Sequence, residues 1–381
     1  MIIPGGILGR TGTAVGLAAI LGVAAIAQSA AASPTPQQPG SPAAVSKSAE
    51  HPASKAVDRL VDELRKHPAP PSPKNGQIGL YLIDAAGGPA VRVANEPDEG
   101  LNQCGSPVWS HDGRRIAFDA TPGIPGKAEF DRSRIRTLEL DGDRLTGQDL
   151  GLGNCPDFSP VDDRIVFLLN NAPNNQMGVW LMKADGSGRR ILGDYGRPRW
   201  SPRSTQFLIA GFGTPAQVTI MDVRPENSGV LQLPDHVVFK VPNWAGDGTI
   251  VAAIGPAGGK RADAIALIDA IVPAEAKIKE MLWKKGAGLD IDPESPVYSS
   301  VTRRCVFIGN IPGKGRALYT IDPGQGKPGK ARRLEPGDAL DNLIQDPTLS
   351  PDGRYLVFSS DRKPPADAKS ASEKPAGAAK P

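Results

Sequence analysis

A short motif opening on proline returns six times in this chain, and repetition on that scale leaves few folds open. The copies read PVWSHDGRRIAF from Pro107, PDFSPVDDRIVF from Pro156, PRWSPRSTQFLIA from Pro198, PNWAGDGTIVAAI from Pro242, PVYSSVTRRCVFI from Pro296 and PTLSPDGRYLVF from Pro347. Successive prolines stand 49, 42, 44, 54 and 51 residues apart. Two places after each proline comes a large apolar residue: Trp109, Phe158, Trp200, Trp244, Tyr298 and Leu349. These six are core candidates. A polar turn of Ser-Pro-Asp-Gly type follows, in which proline fixes φ and glycine or aspartate accepts unusual backbone angles. An apolar strand comes next, so each copy predicts a β-hairpin. The Pro242 and Pro296 copies depart from the turn pattern, which puts their turn geometry in question.

A second half-repeat alternates with the first, starting at Ile78, Arg134, Met177, Val218, Ala264 and Arg316. Each is a β-rich run, then a turn with Asp and usually Gly, and most continue into a further strand. Together the halves supply four strands every 40 to 50 residues or so, which is the blade of a β-propeller. The order of halves reveals the closure: the first half-repeat in the sequence is of the outer kind and the last, ending near Phe358, is of the inner kind. Each lacks a partner unless both belong to one blade. The expected fold is therefore all-β, a six-bladed β-propeller of four-stranded antiparallel blades in which N-terminal strands complete the C-terminal blade and cover open edges. An open solenoid or two sandwiches would leave the phase shift unexplained.

These elements resemble the WD40-like repeats of the TolB propeller family, whose pattern is close to Pro-x-Trp-Ser-Pro-Asp-Gly followed by a strand of Ile-Ala-Phe type. The Pro107 and Pro347 copies match best, and the resemblance spans 78–361. It implies a propeller that binds protein partners in the cell envelope, without the α/β domain that precedes the propeller of the family's Tol-Pal member. A shared fold does not carry over a shared partner.

Around this body the composition changes. Residues 1–32 hold Arg10, the apolar run at 14–27 and small residues at Ala30 and Ala32, the layout of a secretory signal peptide. That run falls short of the roughly 20 residues that span a bilayer; a retained anchor is the alternative to cleavage. Residues 33–77 form a Pro/Ser/Ala linker expected to be disordered, except for a short amphipathic helix at 54–67 whose Val57, Leu60, Val61 and Leu64 recur at helical spacing. Residues 362–381 make a second low-complexity tail. The expected location is periplasmic or extracellular, with no stable membrane span after cleavage.

Catalytic machinery is not legible. Of four histidines, His51 and His67 fall in the linker, leaving His111 in a turn and His236 beside a strand. A triad needs a base beside its nucleophile, and no G-x-S-x-G elbow occurs. Asp290, Asp292 and Glu294 alternate as calcium ligands would, against the plainer reading of a solvated acidic loop. The net charge of only +3 offers no concentrated basic face for nucleic acid. Cys104 and Cys155, near the starts of adjacent inner strands, form a possible disulfide, while Cys305 reads as core.

Residues just before each inner strand converge on one mouth of the central tunnel, and the binding site is expected there: Asn102, Gln103, Asn154, Tyr195, Arg197, Lys240, Asp290, Asp292, Asn342 and Asp346. Such a mixture of amide, aromatic and charged groups suits a protein or peptide. The residues thus point to an exported, monomeric, non-enzymatic binding module without cofactor or metal. A hydrolase or lyase of carbohydrate or peptide on the same scaffold is the alternative.

Overall fold

In the computed structural model the six repeats become six four-stranded antiparallel sheets set around one axis. The structure describes residues 52–66, 77–94, 101, 103–124, 126–141, 144–170, 176–222, 228–286, 289–322 and 328–362. The leader at 1–32, the linker at 33–51 and 67–76, and the tail at 363–381 lie outside the described residues. Blade 1 runs outward from Gln103–Trp109 through Arg115–Thr121 and Arg134–Asp141 to Arg144–Leu152. The inner strands of blades 2 to 6 are Asn154–Phe158, Arg197–Trp200, His236–Gly246, Asp292–Ser299 and Ile344–Leu349. Each inner strand touches those of both neighbouring blades, which closes the ring.

The expected closure is present. Gly79–Asp84 pairs with Tyr355–Ser360 in register from Gly79 opposite Ser360 to Asp84 opposite Tyr355, and Val91–Ala94 forms the outer edge of the same blade. The first described strands and the last thus share one sheet.

The repeat residues explain the blades. In blade 6, Ser350 Oγ donates to Asp352 Oδ1 and accepts from the Tyr355 N–H, while Gly353 takes φ 71° and its N–H bonds the Ser350 carbonyl. Blade 1 repeats this turn with Ser110, Asp112 and Gly113. The two copies that depart in sequence find other solutions. Blade 5 keeps Ser299 as acceptor for the Thr302 N–H and puts Arg303 in the left-handed region, whereas blade 4 makes a tight hairpin in which Gly246 pairs Thr249. Beyond the turns, Phe118, Phe167, Phe307 and Phe358 occupy one place in the second strands of blades 1, 2, 5 and 6 and are fully buried. Burial of each contributes about 1.5–3 kcal/mol.

Hydrogen bonds stitch every seam near the axis. Thr348 Oγ1 donates to the Pro107 carbonyl, the Cys155 N–H to Asp119 Oδ2 at 2.9 Å, the Trp200 N–H to Asp157 Oδ2 at 2.6 Å, Trp244 Nε1 to the Arg199 carbonyl at 3.0 Å, and Asn243 Nδ2 to the Pro296 carbonyl at 3.1 Å. The sixth seam is held by Arg316 Nη1, which donates to the Asn342 carbonyl at 2.7 Å.

A helix at Pro52–Lys66 lies on the closing seam. Its buried Val57, Leu60 and Val61 join a core with Leu80, Val91, Val93, Trp109 and Leu138, drawn from blades 6 and 1. On the helix, Asp58 accepts from Arg354 at 3.0 Å and from the Tyr355 hydroxyl. A helix of this length is marginal alone; the apolar stripe packed on the seam supplies what propensity does not.

Candidate binding site at the tunnel mouth

All six inner strands begin at the same end of the axis, because every blade is entered from its inner edge in the same sense. The residue before each repeat proline then falls on one level: Ser106, Cys155, Arg197, Val241, Ser295 and Asp346. Proline denies the residue before it the right-handed helical region. At Ser106, Cys155, Ser295 and Asp346 the backbone turns left-handed instead, with φ of 46°, 48°, 45° and 48°. The ladder to the next strand slips at each of these places, as it does at a β-bulge. Blade 4 makes its left-handed turn one residue earlier, at Lys240 with φ 59°. Blade 3 alone runs unbroken, with Arg197 paired to Ala210.

Arg197 crosses the axis. Blades 3 and 6 stand opposite each other in a ring of six, and Arg197 Nη1 lies 2.6 Å from Asp346 Oδ1. Ser106 Oγ donates to the other Asp346 oxygen at 3.4 Å. Asp119 of blade 1 comes close as well, and it is accommodated because Gly105 has only a hydrogen there: a Cβ would stand 2.6 Å from Asp119 Oδ1. The attraction of Asp346 raises the Arg197 pKa, so the cation is fixed. Burial raises the Asp119 carboxyl and pushes the Cys155 thiol up to about 11, which keeps the sulfur in its unreactive form at neutral pH.

Above this tie opens a cavity of about 100 Å³. Arg197, Lys240, Glu294, Arg316, Gln345 and Asp346 line it with polar groups, and Val241, Ile308, Leu343 and Ile344 give it an apolar wall. Glu294 accepts from Asn310 Nδ2 at 3.2 Å and faces Arg316 at 3.5 Å. Lys240 is exposed and has no ion-pair partner among the described residues.

The expected site residues separate into groups. Arg197, Lys240 and Asp346 meet in this cavity. Asn342 is exposed beside it and contributes its carbonyl to Arg316. Asp290 and Asp292 sit apart on the rim, where Lys285 reaches both at 2.8 and 3.0 Å and Arg261 reaches Asp292 at 3.2 Å. Glu294 turns away from these two carboxylates, and among the described residues no group of three or more metal-ligating side chains is gathered. Gln103 and Asn154 open the inner strands of blades 1 and 2, both buried. Tyr195 is exposed, donates to Asn170 Oδ1 at 2.8 Å and leans on exposed Phe212, ring centroids 5.8 Å apart. Arg197 lies over the same Phe212 ring at 5.7 Å. Asn102 lies outside the described residues. Sequence reasoning passed over Ser106, Asp119, Phe212 and Arg316, and weighed Glu294 only as a calcium ligand; the position before the repeat proline would have flagged Ser106, but Arg316 arrives from a third strand.

The two cysteines weighed as a disulfide are buried thiols in the structure. Cys104 packs into the core beneath the helix, with Leu80, Val93 and Trp109, whereas Cys155 stands at the axis beside Asp119. They are not equivalent positions: Cys104 lies three residues before its repeat proline and Cys155 one. His111 and His236 fall at opposite ends of the wheel, the first in the turn after an inner strand and the second at the start of one.

No family model matches this chain, and no curated protein does. Among solved structures, TolB from Acinetobacter baumannii is similar at 16% identity with a TM-score of 0.47, over 82% of this chain and 69% of that one. An oligogalacturonate lyase in complex with manganese shares 14% identity at a TM-score of 0.42, over 77% and 99%. The acylaminoacyl peptidase of Pyrococcus horikoshii shares 14% identity at 0.39, and the match spans 60% of this chain but only 39% of the peptidase.

Proposed function

We propose that this protein is an exported, non-enzymatic binding module that holds a protein or peptide partner at the mouth of its propeller. The observation that carries the reading is the company kept there: a small ion-lined cavity beside the exposed Tyr195 and Phe212. Other apolar side chains stand out from the same end, namely Phe130, Leu152 and Met177. Aromatic groups beside a few placed charges are what polypeptide interfaces favour. Export rests on the leader-like residues at 1–32, and no helix among the described residues is long and apolar enough to cross a membrane.

The test is capture from cell extract by the full-length protein and by a Tyr195→Ala, Phe212→Ala variant, followed by titration of whatever partner is identified. Loss of about tenfold or more in affinity, with the unfolding midpoint unchanged, supports the reading. Equal affinity in the variant removes the mouth from consideration. Turnover of a peptide or an oligosaccharide by the purified protein would replace the binding module with a hydrolase or lyase.

A further inference from the structure

We infer that the mouth cavity is a carboxylate pocket, seating one carboxylate of the partner against Lys240 with Arg316 alongside. This deepens the binding-module reading and rests on it. Size sets the first limit. At about 100 Å³ the cavity is well below the 300–1,000 Å³ of sites for whole small molecules, and a single side-chain end suits it better.

Charge sets the second. Three cations and two carboxylates line the space. Arg197 is committed to Asp346 at 2.6 Å, and Arg316 is shared between Glu294 and the Asn342 carbonyl. Lys240 is left over, exposed and unpaired among the described residues. One carboxylate balances it. The apolar wall of Val241, Ile308, Leu343 and Ile344 suits the short aliphatic stem that carries such a group.

The backbone points the same way. In blades 1, 2, 5 and 6 the left-handed residue directly precedes the repeat proline, but in blade 4 it is displaced one place upstream onto Lys240. Displaced bulges re-aim a side chain. Here the displacement gives the axis level to Val241, which is buried, and leaves the lysine at the opening.

An acidic residue and the terminal carboxyl of a polypeptide offer the same group, and three probes distinguish them: acetylated, amidated glutamate, its glutamine counterpart, and acetylglycine with a free carboxylate. Each is titrated into the full-length protein by NMR or calorimetry at low salt. The expected result is saturable binding of at least one acid, at least about tenfold weaker binding of the glutamine probe, and loss of that difference in Lys240→Gln. The tighter acid identifies the source. Lys240→Asn, which accepts the left-handed backbone readily, serves as a second variant should the first fold poorly. Equal binding of glutamate and glutamine probes, acid binding unchanged in either folded variant, or no saturable binding at millimolar concentration overturns the pocket. Tighter binding of inorganic phosphate than of either acid does so too. Partner capture retained by Lys240→Gln while acid binding is absent from the wild type would discard the carboxylate pocket and leave the binding module standing.

Discussion

Two clusters of arginine, lysine and aspartate sit at the same end of this molecule, and they behave as different materials. At the axis, Arg197 and Asp346 are joined across the ring, with the aspartate side chain 5% exposed and Asp119 buried beside them. On the rim, Asp292 is buried too, its side chain 10% exposed, but the groups around it face solvent: an Arg261 that is 64% exposed and a Lys285 that is 34% exposed and also holds an exposed Asp290. Residue type alone would rank the clusters together. The cations separate them: Arg261 stands in solvent and Lys285 partly so, where their attraction for Asp292 is screened, whereas Arg197, 24% exposed, reaches across the axis to a buried partner that cannot lose it cheaply.

The sharpest way to break the comparison is Arg197→Ala. It leaves Asp346 and Asp119 buried without their cation, and urea unfolding should show a loss of about 3–5 kcal/mol, largely restored when Asp346 is also made leucine. A loss no greater than that of a rim substitution would merge the two clusters again. One step deeper, Asp157 asks whether burial or pairing governs. Its carboxyl is pushed up to about 6 by burial, which outweighs Arg199 3.9 Å away and the Trp200 N–H. With the folded pKa above the unfolded 3.8, its contribution to stability is complete below pH 3.8 and fades as pH rises through about 6. Asp157→Asn, which can still accept from Trp200, should therefore match the wild type near pH 4 and exceed it at pH 8 by up to about 3 kcal/mol. Thermal melts across that range decide; a constant difference would make pairing dominant. The smallest effect belongs to the rim, where Asp290→Asn should leave the urea unfolding midpoint indistinguishable from that of the wild type, in added salt as without it.

The wheel itself was legible in the residues because a hairpin repeated six times fixes blade count, strand order and closure together. The mouth was legible only in part. Arg197, Lys240 and Asp346 could be placed from their spacing to the repeat proline, since the inner strand determines where that position falls. Arg316 and Asp119 could not, because they arrive from neighbouring strands and the bulges shift the pairing by amounts that spacing does not encode. Nor does composition separate a charge that crosses the axis from one in solvent: Arg197 and Arg261 look alike until the polypeptide is folded. Nor does spacing say where the two cysteines point: an offset of two places and a bulge send one sulfur into a core and the other to the axis.

The pairing of Gly79–Asp84 with Tyr355–Ser360 also dictates an order of events. During synthesis the early strand emerges with no neighbour for its inner edge and must wait until the other five blades have been made before its mate exists. Completion of the circle is therefore a late step, and a polypeptide interrupted shortly before Tyr355 would carry five sectors and an unsatisfied β-edge, an invitation to chaperones or to aggregation.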